Sequence, residues 1–334
     1  MFILYISDLA NKTDQHGVKF HSYTDDDSQL VYVHCNRDTT SAAARLEHCI
    51  TDVGHWMSAN CLKLNADKTE LLWAGITQPV TFRRQWPSLQ LGEDTVTASK
   101  HVRLLGVTIT SDLSPDKHVA NVCAARFFRL RQLRHIRQSL DFESAATLVH
   151  AFVSSTADYC NTVFAGAPKI ITVRLQQVLN AAARFVTETR KFDHGLLRLM
   201  HTELHWPDVP QRVQYKLGVL IYQRRHNHAL QHLTDHCTPI SHQFQTLFSA
   251  SVYTVFCQCL RSASSHQVSV PRYRLSTYGR GAFSVAGPTV WNSLPKTCGI
   301  RSVLWTVTDS HWRRFYFRST SVFSAKEVCK KCAI

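Results

Sequence analysis

Long apolar runs, a secretory leader and regularly paired cysteines are all missing from this chain of 334 residues. No apolar stretch approaches the ~20 residues that a membrane-spanning helix needs, so we expect no membrane partner. The opening Met-Phe-Ile-Leu-Tyr-Ile is too short for a signal peptide and has no basic leader or cleavage site. The 11 cysteines lack pairwise spacing, which argues against a disulfide scaffold and predicts a reducing intracellular compartment, nucleus or cytoplasm, and not secretion. Cys329 and Cys332 form one C-x-x-C pair without the second pair of a zinc finger.

Acidic residues are scarce in the second half of the chain. Residues 1–150 carry 16 Lys+Arg and 16 Asp+Glu, whereas residues 151–334 carry 22 and 8, which accounts for the formal charge of +14. From Pro239 onward there are only two acids, Asp309 and Glu327, against 12 basic residues. This asymmetry favours a polyanionic partner, nucleic acid before membrane, although basic surfaces also occur without such a role.

Three consecutive carboxylates, Asp25 to Asp27, stand between two β-forming segments, 18–22 and 30–33. The pattern predicts a strand, a tight acidic turn and a second strand. Adjacent carboxylates repel one another and raise each other's pKa unless a cation lies between them, and their hard oxygen atoms suit Mg²⁺. Because aspartate is also a common turn residue, a solvated surface turn is the alternative.

The segments that follow predict a helix and then further strands. A helix starting at Thr39–Ser41 would bury apolar positions spaced by three and four residues, Ala43, Leu46, Ile50, Val53 and Met57. Segments 69–73, 89–91 and 101–109 are strand candidates, and Gly106 in the last suggests a bulge or a close backbone approach. Asn60 and Asn65 fit a helix end and a turn.

The pattern becomes helical after Pro115. Residues 117–140 contain no acid, and arginines recur there at short helical steps, at Arg126, Arg129, Arg131, Arg134 and Arg137. One interpretation is a packed helix whose arginines extend their charged heads into water. The other is a helix that lies along a phosphate backbone. A second amphipathic helix is predicted over 174–186, with an apolar stripe of Leu175, Val178, Leu179, Ala182 and Val186.

Arginines and aromatics alternate again in residues 270–295. Such a mixture can hold phosphates and stack on bases, and it can equally belong to a loosely folded tail. No internal repeat is present.

In their order and spacing, these segments resemble the second half of a reverse transcriptase from a non-LTR, LINE-type retrotransposon, close to the jockey-like elements. Tyr23-Thr24-Asp25-Asp26 is similar to the polymerase signature Tyr/Phe-X-Asp-Asp. Residues 56–70 resemble the motif that follows it, and residues 104–107 resemble the primer-grip hairpin. Residues 117–140 resemble the first thumb helix, and residues 286–295 resemble a tail signature of these elements. The resemblance covers most of the chain up to about Pro295.

The resemblance implies an α+β fold in three parts. Residues 1–112 would form a partial palm, an antiparallel sheet with a packed helix and the Tyr-X-Asp-Asp hairpin. Residues 113–205 would form a helical thumb-like region, and residues 206–334 a basic, irregular and partly disordered tail. The partners would be an RNA template and a DNA primer, and the chemistry would be nucleotide transfer with two Mg²⁺ ions.

The resemblance also assigns site residues. Asp25 and Asp26 would bind metal, and Lys68 would donate a proton to the leaving pyrophosphate, or else be an ordinary exposed lysine. The residues expected to contact nucleic acid are Tyr23, Leu105, Gly106, Arg126, Arg129, Arg131, Arg134 and Arg137.

This sequence departs from the family pattern in three places. The family's other metal carboxylate precedes the Tyr-X-Asp-Asp hairpin, but the only acids before Tyr23 are Asp8 and Asp14, in the wrong context. Asp27 stands where the family usually has threonine, and residues 296–334 drift from the pattern. We therefore expect a truncated copy that is inactive alone as a polymerase. The alternatives are a non-catalytic nucleic-acid-binding remnant, or a chain without a cellular role.

Overall fold

A computed structural model of the chain describes residues 2–22, 29–33, 39–74, 88–92, 94–225, 267–273 and 278–294. These residues fall into two compact units, divided between Ser114 and Pro115. The first unit combines helices with small antiparallel sheets, and the described part of the second is almost entirely helical, so the fold is α+β. This boundary lies two residues beyond residue 112, the predicted end of the palm-like region.

The first unit has two long helices and three strand pairs in the described residues. The helices are α1 (Phe2–Gln15) and α2 (Thr39–Ala59), followed by a 3-10 turn (Ala66–Lys68). The strands are β1 (Lys19–Ser22), β2 (Gln29–Tyr32), β3 (Leu89–Leu91), β4 (Asp94–Val96), β5 (His101–Leu104) and β6 (Val107–Thr110). Each strand pairs antiparallel with the next, as β1–β2, β3–β4 and β5–β6. Within the described ranges these are three separate two-stranded sheets, not the single sheet that was predicted.

Helix α2 is confirmed with the predicted buried side. Ala43, Leu46 and Val53 are buried and share an apolar cluster with residues of α1, β1 and β3. The prediction that Asn60 marks the end of this helix is also confirmed, because Asn60 Nδ2 donates a hydrogen bond of 2.8 Å to the carbonyl of Trp56. The spacing of apolar residues therefore located this helix and its packed side from sequence alone.

Two strand predictions in the first unit are wrong. The segment 69–73 is not a strand, because Leu71 alone meets a partner, in an isolated parallel bridge to Ala98. The segment 101–109 is not one bulged strand but the hairpin β5–β6, with its turn inside residues 104–107, where the sequence resembles a hairpin. Its turn consists of Leu105 at φ 45° and Gly106 at φ 82°, and two successive positive φ values are typical of a type I′ turn.

The second unit is built around a central helix. Its helices are α3 (Asp116–Arg134), α4 (Phe142–Val149), α5 (Ser155–Ala157), α6 (Lys169–Thr187), α7 (Leu196–Thr202), α8 (Val209–Arg225), α9 (Tyr278–Gly281) and α10 (Phe283–Ser293), with a π-helical turn (His150–Ser154) between α4 and α5. Helix α6 packs against α3, α4, α7 and α8. All five residues of its predicted apolar stripe are buried, which confirms the period of 3.6 residues.

Most of the described C-terminal region forms packed helices, whereas an irregular tail was expected there. Helix α8 packs against α6 and α10, and Trp291 of α10 is buried. Asn292 holds the segment around Val268 through two hydrogen bonds with the Val268 backbone, one accepted at 3.0 Å and one donated at 2.8 Å. Gly281 lets the chain approach closely, because a Cβ there would lie 2.7 Å from the carbonyl oxygen of Ala165.

A buried ion pair joins two helical segments of this unit. Arg212 on α8 is 1% exposed and donates from its guanidinium to Asp158 Oδ2 at 2.6 Å and to the Pro207 carbonyl at 2.8 Å. The imidazole of His150 lies in the same region, and burial lowers its pKa; Asp158 raises that pKa and Arg212 lowers it, both by smaller amounts. A desolvated charge needs such a partner, so removing either member of the pair would destabilise the unit.

Candidate nucleic-acid interface

Helix α3 forms from a segment whose charges suit the helix dipole. Asp116 lies in the first turn, and Arg131 and Arg134 lie in the last, where a negative and a positive charge are respectively favoured. Val119 and Leu130 are buried on the side that packs against the rest of the unit. The opposite side of the helix carries exposed residues.

The exposed side of α3 combines basic and aromatic residues, and we call it the basic–aromatic face. It comprises Phe127, Phe128, Arg131, Arg134 and His135, all of them exposed. Phe127 and Phe128 leave 42% and 55% of their surface in contact with solvent. Arg131 follows these two rings by four and three residues, so it neighbours both on the helix surface. Within the described residues, neither Arg131 nor Arg134 has an acidic partner.

Arg126 belongs to the interior of the second unit instead. Its guanidinium donates to the carbonyl of Phe152 and, at 3.1 Å, to the hydroxyl of Thr156. Burial lowers the pKa of Arg126, and the nearby charge of Arg129 lowers it further. This arginine fits the interpretation of a packed helix, since its Nη1 donates to a carbonyl and a hydroxyl group of the protein itself.

Arg137 is likewise held inside the unit. Its three nitrogens donate to the carbonyls of Phe185 at 2.7 Å, Leu140 at 2.7 Å and Val186 at 3.0 Å. The guanidinium also lies 5.6 Å from the centre of the Phe185 ring and 2.9 Å from Glu188. The carbonyls of Phe185 and Val186 belong to the last turn of α6, so Arg137 satisfies acceptors that the helix itself leaves open.

Arg129 projects from a third side of α3. It is two residues from Arg131, which places the two about 200° apart around a helix with 3.6 residues per turn. Its guanidinium donates to Gln132 Oε1 at 2.9 Å. The structure therefore groups Arg131 and Arg134 with two phenylalanines and separates Arg126, Arg129 and Arg137 from them.

Of the predicted metal and template residues, Tyr23, Asp25 and Asp26 lie outside the described residues. Lys68 is exposed at the end of the 3-10 turn, where its backbone N–H donates to Asn65 Oδ1 at 3.3 Å. Leu105 and Gly106 form the turn of the β5–β6 hairpin. In the described ranges no three His, Cys, Asp or Glu side chains are grouped so as to hold a metal ion.

The structure adds Phe127, Phe128 and His135 to the candidate interface. Two consecutive phenylalanines are the signal that was overlooked: neighbouring residues on a helix point about 100° apart, so one narrow buried stripe cannot contain both. A helix with such a pair and no acid beyond its first residue is expected to expose at least one ring. The pair therefore indicates an aromatic surface beside the arginines.

Comparisons with protein-family models, curated proteins and solved structures find no match for this chain. Among the helices that the structure describes, none is both long enough and apolar enough to cross a lipid bilayer.

Proposed function

We propose that this chain binds nucleic acid through α3, and that it corresponds to the C-terminal part of a retrotransposon reverse transcriptase of the non-LTR type. One observation carries the binding proposal: a helix without acids beyond its first residue exposes Arg131 and Arg134 beside two aromatic rings. Arginine guanidinium groups bind phosphate oxygens with paired donors, and aromatic rings stack on bases, so the face suits both parts of a nucleotide.

The order of elements supports the proposed relationship to reverse transcriptases. Strands β1 and β2 pair antiparallel on either side of the segment that resembles the polymerase signature. Helix α2, the hairpin β5–β6 and the arginine-bearing α3 then follow in the order of the family's motifs.

The catalytic part of the proposal concerns Asp25 and Asp26. The oxygen atoms of adjacent carboxylates are ligands that suit Mg²⁺. When bound, this ion would lower the pKa of a primer hydroxyl and neutralise phosphate charge. We therefore propose that Asp25 and Asp26 are metal-binding residues of a nucleotide-transfer site. Primer extension on an RNA template with Mg²⁺ or Mn²⁺ tests this. Incorporation that Asp25→Ala abolishes would show that the chain is a working polymerase.

The binding proposal is tested by the salt dependence of affinity. Fluorescence anisotropy of a labelled single strand should give a log Kd that rises linearly with log salt, because bound phosphates release counterions. Each phosphate that an arginine neutralises on a single strand adds about 0.7 to the slope, so replacing Arg131 and Arg134 by glutamine should reduce it by about 1.4. Arg198→Gln is the matched control, because Arg198 is an exposed arginine on α7 of the same unit. An unchanged slope in the double variant would remove α3 as the binding surface.

A further inference from the structure

We propose that the basic–aromatic face of α3 is a stacking platform for unpaired bases, so that its ligand is single-stranded nucleic acid and not a duplex. This inference rests on the proposed function and names the class of nucleic acid that the same surface takes.

The exposure of the two phenylalanine rings is the first step. A side chain of this size is usually buried, yet Phe127 and Phe128 are 42% and 55% exposed on successive positions of one helix. Nothing among the described residues covers them fully. An exposed aromatic pair marks an interaction surface when polar groups surround it, and here the surrounding groups are Arg131, Arg134 and His135.

The charge around the rings selects the class of partner. Residues 117–140 carry six Lys+Arg and no acid, so an approaching polyanion meets no repelling carboxylate from this stretch of the helix. Arg131 lies within one helical turn of both rings, which places a phosphate-binding fork beside each stacking surface. An apolar protein partner would instead be opposed by the charges of Arg131 and Arg134, which it would have to bury.

The rings then distinguish a single strand from a duplex. The flat faces of bases in a duplex are stacked on one another, so a ring on a helix can reach base edges, sugars and phosphates but no free base face. In a single strand each base offers a free face, and stacking on an aromatic side chain is worth a factor of about 5 to 150 in affinity per base. The exposed imidazole of His135, two turns beyond Phe128, offers a third planar surface.

The preference for single strands is tested by the binding of three labelled probes to the full chain. Each probe has about 20 nucleotides, because a single-strand binding site covers about 4–16 nucleotides. The probes are oligo(dT), an abasic strand of the same length and charge, and a duplex. We expect the chain to bind oligo(dT) at least about 5-fold more tightly than either the abasic strand or the duplex. The double variant F127L/F128L keeps apolar bulk without aromatic faces. It should weaken oligo(dT) binding about 5-fold or more and leave abasic binding within about 2-fold. The variant F127Y/F128Y should bind oligo(dT) like the wild type.

Equal affinity for oligo(dT) and the abasic strand, or an F127L/F128L variant that binds oligo(dT) like the wild type, would overturn the stacking platform. Displacement of oligo(dT) by polyglutamate as efficiently as by unlabelled oligo(dT) would also overturn it, in favour of an acidic protein partner. Failure of the underlying proposal looks different: no probe would bind, or R131Q/R134Q would bind every probe like the wild type. Unchanged abasic binding by F127L/F128L serves as the control for folding.

Discussion

Replacing Arg137 should weaken the C-terminal end of α6 and leave nucleic-acid binding intact, unlike replacement of Arg131. The guanidinium of Arg137 is 14% exposed and donates hydrogen bonds of 2.7, 2.7 and 3.0 Å to three carbonyls. A hydrogen bond from a charged donor contributes about 1.5–3 kcal/mol. The three share one side chain and do not add, so we expect Arg137→Ala to cost about 2–4 kcal/mol of unfolding free energy. The exposed Glu188 adds little.

Arg137→Lys separates charge from geometry. The lysine ammonium group keeps the favourable charge near the end of α6, but it lacks the planar guanidinium that reaches three carbonyls at once. We therefore expect Arg137→Lys to lower the free energy of unfolding by about half as much as Arg137→Ala, roughly 1–2 kcal/mol. Arg131→Ala is the comparison and should change stability by less than about 0.5 kcal/mol, because Arg131 is exposed and contacts no carboxylate in the described residues.

Hydrogen exchange measured by mass spectrometry on the full chain resolves this effect. Peptides that cover residues 180–190 should exchange faster in Arg137→Ala than in the wild type, and peptides from the first unit should not change. Equal protection in the Arg137 and Arg131 variants would refute the assignment of Arg137 to the end of α6. If Arg137→Lys lowered the affinity for nucleic acid without faster hydrogen exchange, Arg137 would belong to the nucleic-acid-binding surface.

Four further changes test the packing of both units. Asp158→Ala should lower the unfolding free energy by about 3–5 kcal/mol in urea denaturation, because it leaves its buried arginine partner uncompensated. Burial lowers the pKa of His150 below its ordinary value of 6.5, so the unfolded chain binds this proton more readily than the folded protein. The free energy of unfolding should therefore decline as pH falls below about 6.5, and His150→Gln should reduce that decline. Gly281→Ala should lower the melting temperature because its Cβ would meet a carbonyl oxygen at 2.7 Å, whereas Gly218→Ala, with open space around it, should leave it equal or raise it. Leu105→Asn should stabilise the first unit by up to about 1 kcal/mol in chemical denaturation, because asparagine tolerates the left-handed backbone of that turn better than leucine.

Periodic patterns in the sequence predicted α2 and α6 because burial on one side of a helix leaves a regular trace. These two helices follow from the spacing of Leu46 and Leu179 with their neighbours, and α3 follows from the helical steps of its arginines. Strands were harder, since a strand needs a partner that the local sequence does not name. The segment around Leu71 has strand-forming residues but only one bridging contact, so its prediction was wrong.

The positions of individual arginine side chains could not be predicted from α3 alone. Arg126 and Arg137 find acceptors 26 and 48 residues further along the chain, the carbonyls of Phe152 and Phe185. Their helical spacing resembles that of Arg131 and Arg134, which remain exposed. Only the tertiary structure separates the two groups, because an arginine stem can reach either a neighbouring helix end or solvent.

Photo-crosslinking with an oligonucleotide that carries 5-iodouridine, followed by mass spectrometry of the crosslinked peptides, locates the bound bases on the protein. Because iodouridine reacts with the aromatic ring on which it stacks, we expect crosslinks at Phe127 or Phe128 that high salt and R131Q/R134Q diminish. Crosslinks found only outside α3, with none at either phenylalanine, would contradict base stacking on this helix.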